Sequence, residues 1–149
     1  MYFQYTLYIY NKEFYMENIQ IPISMGEAID RLTILKIKLM YIKNDEKLNN
    51  ISKDHDLLEK AIYKYYPEAP IFPLKVDSHI FGELFKVNKE LWDVEDKLRV
   101  LERGKNFGSE FIELARSVYY LNDNRANVKK RINIEYKSEL IEEKSYEAY

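Results

Sequence analysis

The polar residues most able to do chemistry lie between Glu113 and Lys129, where Arg116, Asn122, Asp123 and Arg125 interrupt an apolar repeat. Phe111, Leu114, Val118, Leu121, Val128 and Ile132 recur at helical spacing, and Arg125 takes an a position between Val118 and Ile132. A guanidinium in an apolar seam is costly unless it is paired and hydrogen-bonded. Asn122, one turn earlier, and Asp123 are the nearest partners in sequence, and Glu95 could reach from another helix. Two chemistries fit this arrangement. A buried polar pair would fix helix register. Alternatively, Arg125 would be the fork of a carboxylate or anion site in a bundle core. Arg31 and Lys38, beside a second apolar seam, are the further cations available to such a site.

No other constellation is arranged for catalysis. The chain lacks both G-x-x-x-x-G-K-[ST] and G-x-G-x-x-G, so the usual phosphate loops are absent. With no cysteine there is no disulfide, thiolate nucleophile, zinc ribbon or iron–sulfur cluster. His55 and His79 are far apart in sequence and belong to no H-E-x-x-H, and read as solvated or capping side chains. Asp93, Glu95 and Asp96 read as a solvated helix face, with Glu95 turned toward a neighbour. The segment 104–109 reads as a helix–helix turn rather than an anion cradle. Neither a metal nor a cofactor is expected.

Composition bounds the partners. The 149 residues carry 23 Lys+Arg against 25 Asp+Glu, a net charge of −2, which excludes a chain-wide basic surface for nucleic acid. The basic run Arg125, Lys129, Lys130 and Arg131 reads as a solvated helix face. With 46% apolar residues the chain can bury a core. No apolar run approaches a membrane span and no secretory signal is present, so a cytoplasmic protein without membrane contact is expected.

Only four Gly and four Pro leave little material for turns and favour a few long helices. Residues 1–15, rich in Tyr and without a helical period, read as an extension outside a single helical domain at 16–149. Ile19 to Ile23 alternate as a strand does, and Pro22 confines them to an edge or an extended arm. Ser24-Met25-Gly26-Glu27 is a capping box. Met25, Ala28, Leu32, Leu35, Leu39 and Ile42 follow as a seam, and Ile29, Ile34, Ile37 and Met40 widen it toward more than one neighbour. A second helix is expected from Ser52 to Tyr65 and a third from Asp77 to Arg103, with Gly104 as its C-cap glycine. Gly108-Ser109 caps the fourth. The expected fold is an all-α antiparallel bundle of about four helices with a short extended arm. Basic flanks on the first helix (Arg31, Lys36, Lys38, Lys43) and acidic flanks on the third (Glu83, Glu90, Glu95, Glu102) predict that these two run parallel and pair through their charges.

Several pieces together resemble a family of small uncharacterised bacterial and viral proteins, a domain of unknown function. They are Ser24 through Lys38, Val87 through Trp92 with Glu95-Asp96, and Phe107-Gly108. Phe111, Glu113 through Tyr119, Asn122-Asp123, Arg125-Ala126, Ile132-Asn133 and Glu142 through Tyr146 complete them. Arg31 stands where the pattern has Lys, and residues 1–15 lie outside it. The resemblance implies a start near Met16 and a tail that belongs to the domain, but no activity, substrate or cofactor.

Long seams with no nucleophile–base pair point to a non-catalytic interaction or oligomerisation module, with a protein partner or a second copy as its target. The alternative is a small all-α enzyme or binding protein for an anionic metabolite at Arg125, by fold-level analogy with helical chorismate mutases.

Overall fold

A computed structural model describes residues 19–65, 67 and 79–145. Residues 1–15, Met16, most of the Tyr66 to Pro73 segment and Tyr146 fall outside the described residues. The described chain is all helix and irregular backbone. Its elements are α1 (Met25–Tyr41), α2 (Asp45–Tyr65), α3 (His79–Arg103) and α4 (Ser109–Glu135). Residues 19–23 form the extended arm and make no strand.

Helix α1 is the hub. It begins where Ser24 leaves the extended region and its Oγ accepts the Glu27 N–H at 3.2 Å. Only this half of the capping box forms, because the Glu27 carboxylate is engaged by Lys129. The wide apolar face of α1 packs on all three other helices, as its extra isoleucines predict. Ile29, Leu32 and Ile37 are fully buried, and the core is completed by Ile62 of α2, Phe81 and Leu84 of α3, and Val128 and Ile132 of α4.

Helix α2 starts about two turns before Ser52. Asn44 is the cap, its Oδ1 accepting the Lys47 N–H at 2.9 Å, and Asp45 and Glu46 sit in the first turn where the helix dipole favours acids. Ile62 is its one buried residue, so α2 leans on α1 from outside.

Helices α3 and α4 form a long antiparallel hairpin. Gly104 is followed by the true left-handed residue, Lys105, at φ 52°. The Lys105 N–H reaches the Glu102 carbonyl at 3.0 Å and the Asn106 N–H reaches that of Leu101 at 2.9 Å, a Schellman turn with lysine in the usual glycine place. The same turn ends α4: Lys137 has φ 51°, and the Ser138 N–H donates to the Asn133 carbonyl at 2.8 Å.

Helices α1 and α3 do run parallel, since α1 meets α4 in antiparallel order (Gly26 at Asn133, Glu27 at Lys129, Asp30 at Arg125). The charged flanks do not zip them together as predicted. Arg31 turns to Asp54 of α2 at 2.9 Å, Glu83 takes Arg131 of α4 at 2.6 Å, and Glu95 and Glu102 pair locally with Arg99 and Lys105. Other contacts join the pair instead: Asn88 reaches Thr33 and the Asp30 carboxylate, Tyr41 stacks on Trp92 at 5.8 Å, and Lys89 lies over the Tyr41 ring at 5.0 Å.

Candidate functional site

Every fourth residue of a helix falls on nearly the same face. On α4 this rule places Arg125, Lys129 and Asn133 in one stripe, opposite the first two turns of α1. The result is a ladder of three polar rungs between antiparallel helices.

Asp30 forms the innermost rung. It is 1% exposed, and its carboxylate is taken from two sides. Oδ1 accepts Arg125 Nε at 2.8 Å and Asn88 Nδ2 at 2.8 Å, while Oδ2 accepts the Arg125 Nη2. Asn88 Nδ2 also donates to Thr33 Oγ1 at 2.7 Å, and that hydroxyl donates to the Asp30 carbonyl at 2.7 Å. One carboxylate therefore ties α1, α3 and α4. The hydrogen bonds that Arg125 donates to Asp30 raise its pKa further, against the effect of burial.

Lys129, with its side chain 11% exposed, is the middle rung. Its Nζ donates to Glu27 at 2.6 Å and to Glu142 of the C-terminal tail at 2.8 Å. Burial opposes its charge, but the bonds to Glu142 and Glu27 outweigh burial and hold its pKa above the ordinary lysine value. Reciprocally, Lys129 holds the Glu142 carboxyl below its ordinary value.

The outer rung closes the start of α1. The Gly26 N–H donates to Asn133 Oδ1 at 2.6 Å and the Met25 N–H to Ser138 Oγ at 3.1 Å. With Ser24 on Glu27, three of the first-turn donors have side-chain acceptors. A Cβ on Gly26 would lie 2.5 Å from the Lys129 carbonyl oxygen, so the approach of the two helices requires glycine.

Of the site candidates named from sequence, Arg125 alone joins this ladder, and Lys129, read as part of a solvated face, is instead nearly buried in it. Asn122 Nδ2 donates to the Val118 carbonyl of its own helix at 3.0 Å, and Asp123 is half-buried on α4. Arg116 lies with Tyr119 and Glu113, Glu95 with Arg99, and Arg31 with Asp54. Lys38 is half-buried in the last turn of α1. Sequence reasoning missed Asp30 because its f position is normally solvated. Ile37, one heptad later in the same position and also buried, was the available signal that this face is covered.

Two cavities are lined by described residues, and the larger adjoins the outer rung at Met25 and Ser138. A slot of 260 Å³ beside the hairpin seam is lined by Glu95, Leu98, Arg99, Glu102 and Phe111. A cleft of 750 Å³ lies between the extended arm (Ile21, Ile23), the α1–α2 pair (Leu58, Ile62) and the tail (Leu140). Arg125 lines neither. On α2, His55, Asp56 and Glu59 bring potential ligand atoms within 4.8 Å of one another, and His55 lies 3.5 Å from Asp56 as an ordinary side-chain pair.

The sequence matches the family of unknown function DUF6165 over residues 19–149. The chain belongs to this family. No curated protein and no solved structure gives a significant match. The DUF6165 match spans every rung of the ladder, from Met25 to Glu142. The pieces that carried the resemblance supply most of its members: Ser24, Gly26, Glu27, Asp30 and Thr33 from the first, Asn88 from the second, then Arg125, Asn133 and Glu142. No described helix in this DUF6165 chain is long and apolar enough to cross a membrane.

Proposed function

We infer that this chain is a non-catalytic interaction module, and that the outer part of the α3–α4 hairpin is its docking arm. The observation that carries this reading is a contrast in burial. From Trp92 through Asn127 no residue is buried, although Val94, Leu98, Leu101, Phe111, Leu114, Val118 and Leu121 keep a coiled-coil spacing. The arm extends about 18 Å beyond Trp92, taking Trp92–Arg103 at the helical rise. A two-helix seam leaves each apolar side chain partly wetted, and a third or fourth helix would cover it. The 260 Å³ slot, an open depression lined by Leu98 and Phe111 together with Glu95, Arg99 and Glu102, lies on this seam. Phe107 and Ile112, about half exposed, extend the apolar surface at the tip.

The anionic-metabolite reading finds less support. The cluster holds two cations, Arg125 and Lys129, against three carboxylates, Asp30, Glu27 and Glu142. An incoming anion would have to displace a carboxylate rather than balance a surplus cation. Nucleic-acid binding is disfavoured in the same way, since Lys130 and Arg131 pair with Glu143 and Glu83.

A second copy is the simplest helical partner. Static light scattering should show mass rising with concentration for the wild type and not for Phe107→Ser/Ile112→Ser. A strict monomer at every concentration, with no apolar dye bound by the arm, would contradict the reading.

A further inference from the structure

The C-terminal tail is tied to the bundle by ion pairs and hydrogen bonds, and its apolar side chains, Leu140 and Ile141, stay outside the core. Residues 139–145 have no regular structure and all are exposed. The attachments of residues 138–145 include the Met25 N–H donating to Ser138 Oγ at 3.1 Å, Lys129 to Glu142 at 2.8 Å, and Lys130 to Glu143 at 3.1 Å. The Schellman turn at Lys137 reverses the chain and delivers Ser138 to the first turn of α1.

We propose that residues 138–145 form a detachable strap, latched by Glu142 on Lys129, which opens while the four-helix bundle stays folded. Three observations support it. No apolar side chain of the strap belongs to the core, Leu140 and Ile141 being 45% and 44% exposed, so its release forfeits less burial than loss of a core side chain. Its Glu142 and Glu143 carboxylates are half-exposed or more, the class of pair that holds weakly. Lys129 keeps Glu27 as a partner after release, at 2.6 Å, so opening strands no buried charge. Glu142 is the latch rather than Glu143 because its partner is nearly buried, whereas Lys130 is half-exposed.

Opening has a defined structural consequence. Ser138, Glu139 and Leu140 form one wall of the 750 Å³ cleft, and the opposite wall is Met25, Ala28 and Ile62. Release of the strap removes that wall and frees the Met25 N–H. The strap therefore controls access to the apolar surface at the start of α1.

Amide hydrogen exchange on the full chain tests this. Glu142→Gln and, separately, Ser138→Ala should each speed exchange of the Met25 and Ser138 amides by roughly tenfold, while amides of α3 and of α4 up to Ile132 keep their protection. Unchanged exchange at Met25 and Ser138 in Glu142→Gln would remove Glu142 as the latch. A fall in protection throughout the bundle in either variant would show the tail to be an integral part of the fold, and would also overturn the proposal.

Discussion

Asp30 decides more of this structure than any other side chain, because its one carboxylate joins three helices. Removing one member of such a pair leaves a buried partner uncompensated, which costs about 3–5 kcal/mol. Asp30→Asn and Asp30→Ala should therefore lower stability by that amount in denaturant unfolding. Replacing Asp30 and Arg125 together by apolar residues should cost far less, since both desolvation penalties vanish. Gly26→Ala is the steric counterpart. The new methyl would meet the Lys129 carbonyl at 2.5 Å, and a backbone atom cannot move aside, so a loss of about 2 kcal/mol or more is expected from overpacking. The Lys129–Glu142 pair sets a pH window. Glu142 has a depressed pKa, so its contribution is present above the ordinary carboxylate range and disappears as pH falls through the depressed value. Lys129 has a raised pKa, so its contribution is present below the ordinary lysine value and disappears as pH rises through the raised one. Stability measured against pH should show a shoulder at each edge, and Glu142→Gln should abolish the acid shoulder. The charges that act on the Glu142 carboxyl are Lys129 first, then Lys144 of the tail and Arg125 of α4.

At the scale of elements, two left-handed lysines stand out. Left-handed backbone costs a residue with a Cβ roughly 1–2 kcal/mol, and glycine is free of it but loses more chain entropy on folding. Lys105→Gly and Lys137→Gly should each stabilise the chain by about 0.5–1 kcal/mol in thermal unfolding. The sequence marked the end of α3 at Arg103 but pointed to Gly104 for the special conformation, which falls on Lys105. The start of α2 was missed for a related reason. Residues 45–51 offer few apolar positions, so periodicity is silent there, and the Asn44 cap with Asp45 and Glu46 is what starts the helix. The seams of α1, α3 and α4 were legible because apolar spacing fixes them locally. The partner of Arg125 was not, because it lies 95 residues away, on a helix that no local spacing links to α4.

As a whole, the molecule divides its labour. One end is a closed hub, where α1 sinks into α2, α3 and α4 and where the polar ladder sets register. The other is an arm whose seam is apolar but nowhere buried. The near-neutral net charge follows the same division, since the cations of the ladder and of the basic run on α4 are matched by carboxylates from other segments. The central claim is that the ladder builds the fold while the arm makes the contacts. The most direct test is the self-association constant from sedimentation equilibrium, measured on helical, folded protein for the wild type, Asp30→Leu/Arg125→Met and Phe107→Ser/Ile112→Ser. The account predicts that the ladder variant associates as the wild type does and that the arm variant does not. Loss of association in the ladder variant with association intact in the arm variant would contradict it.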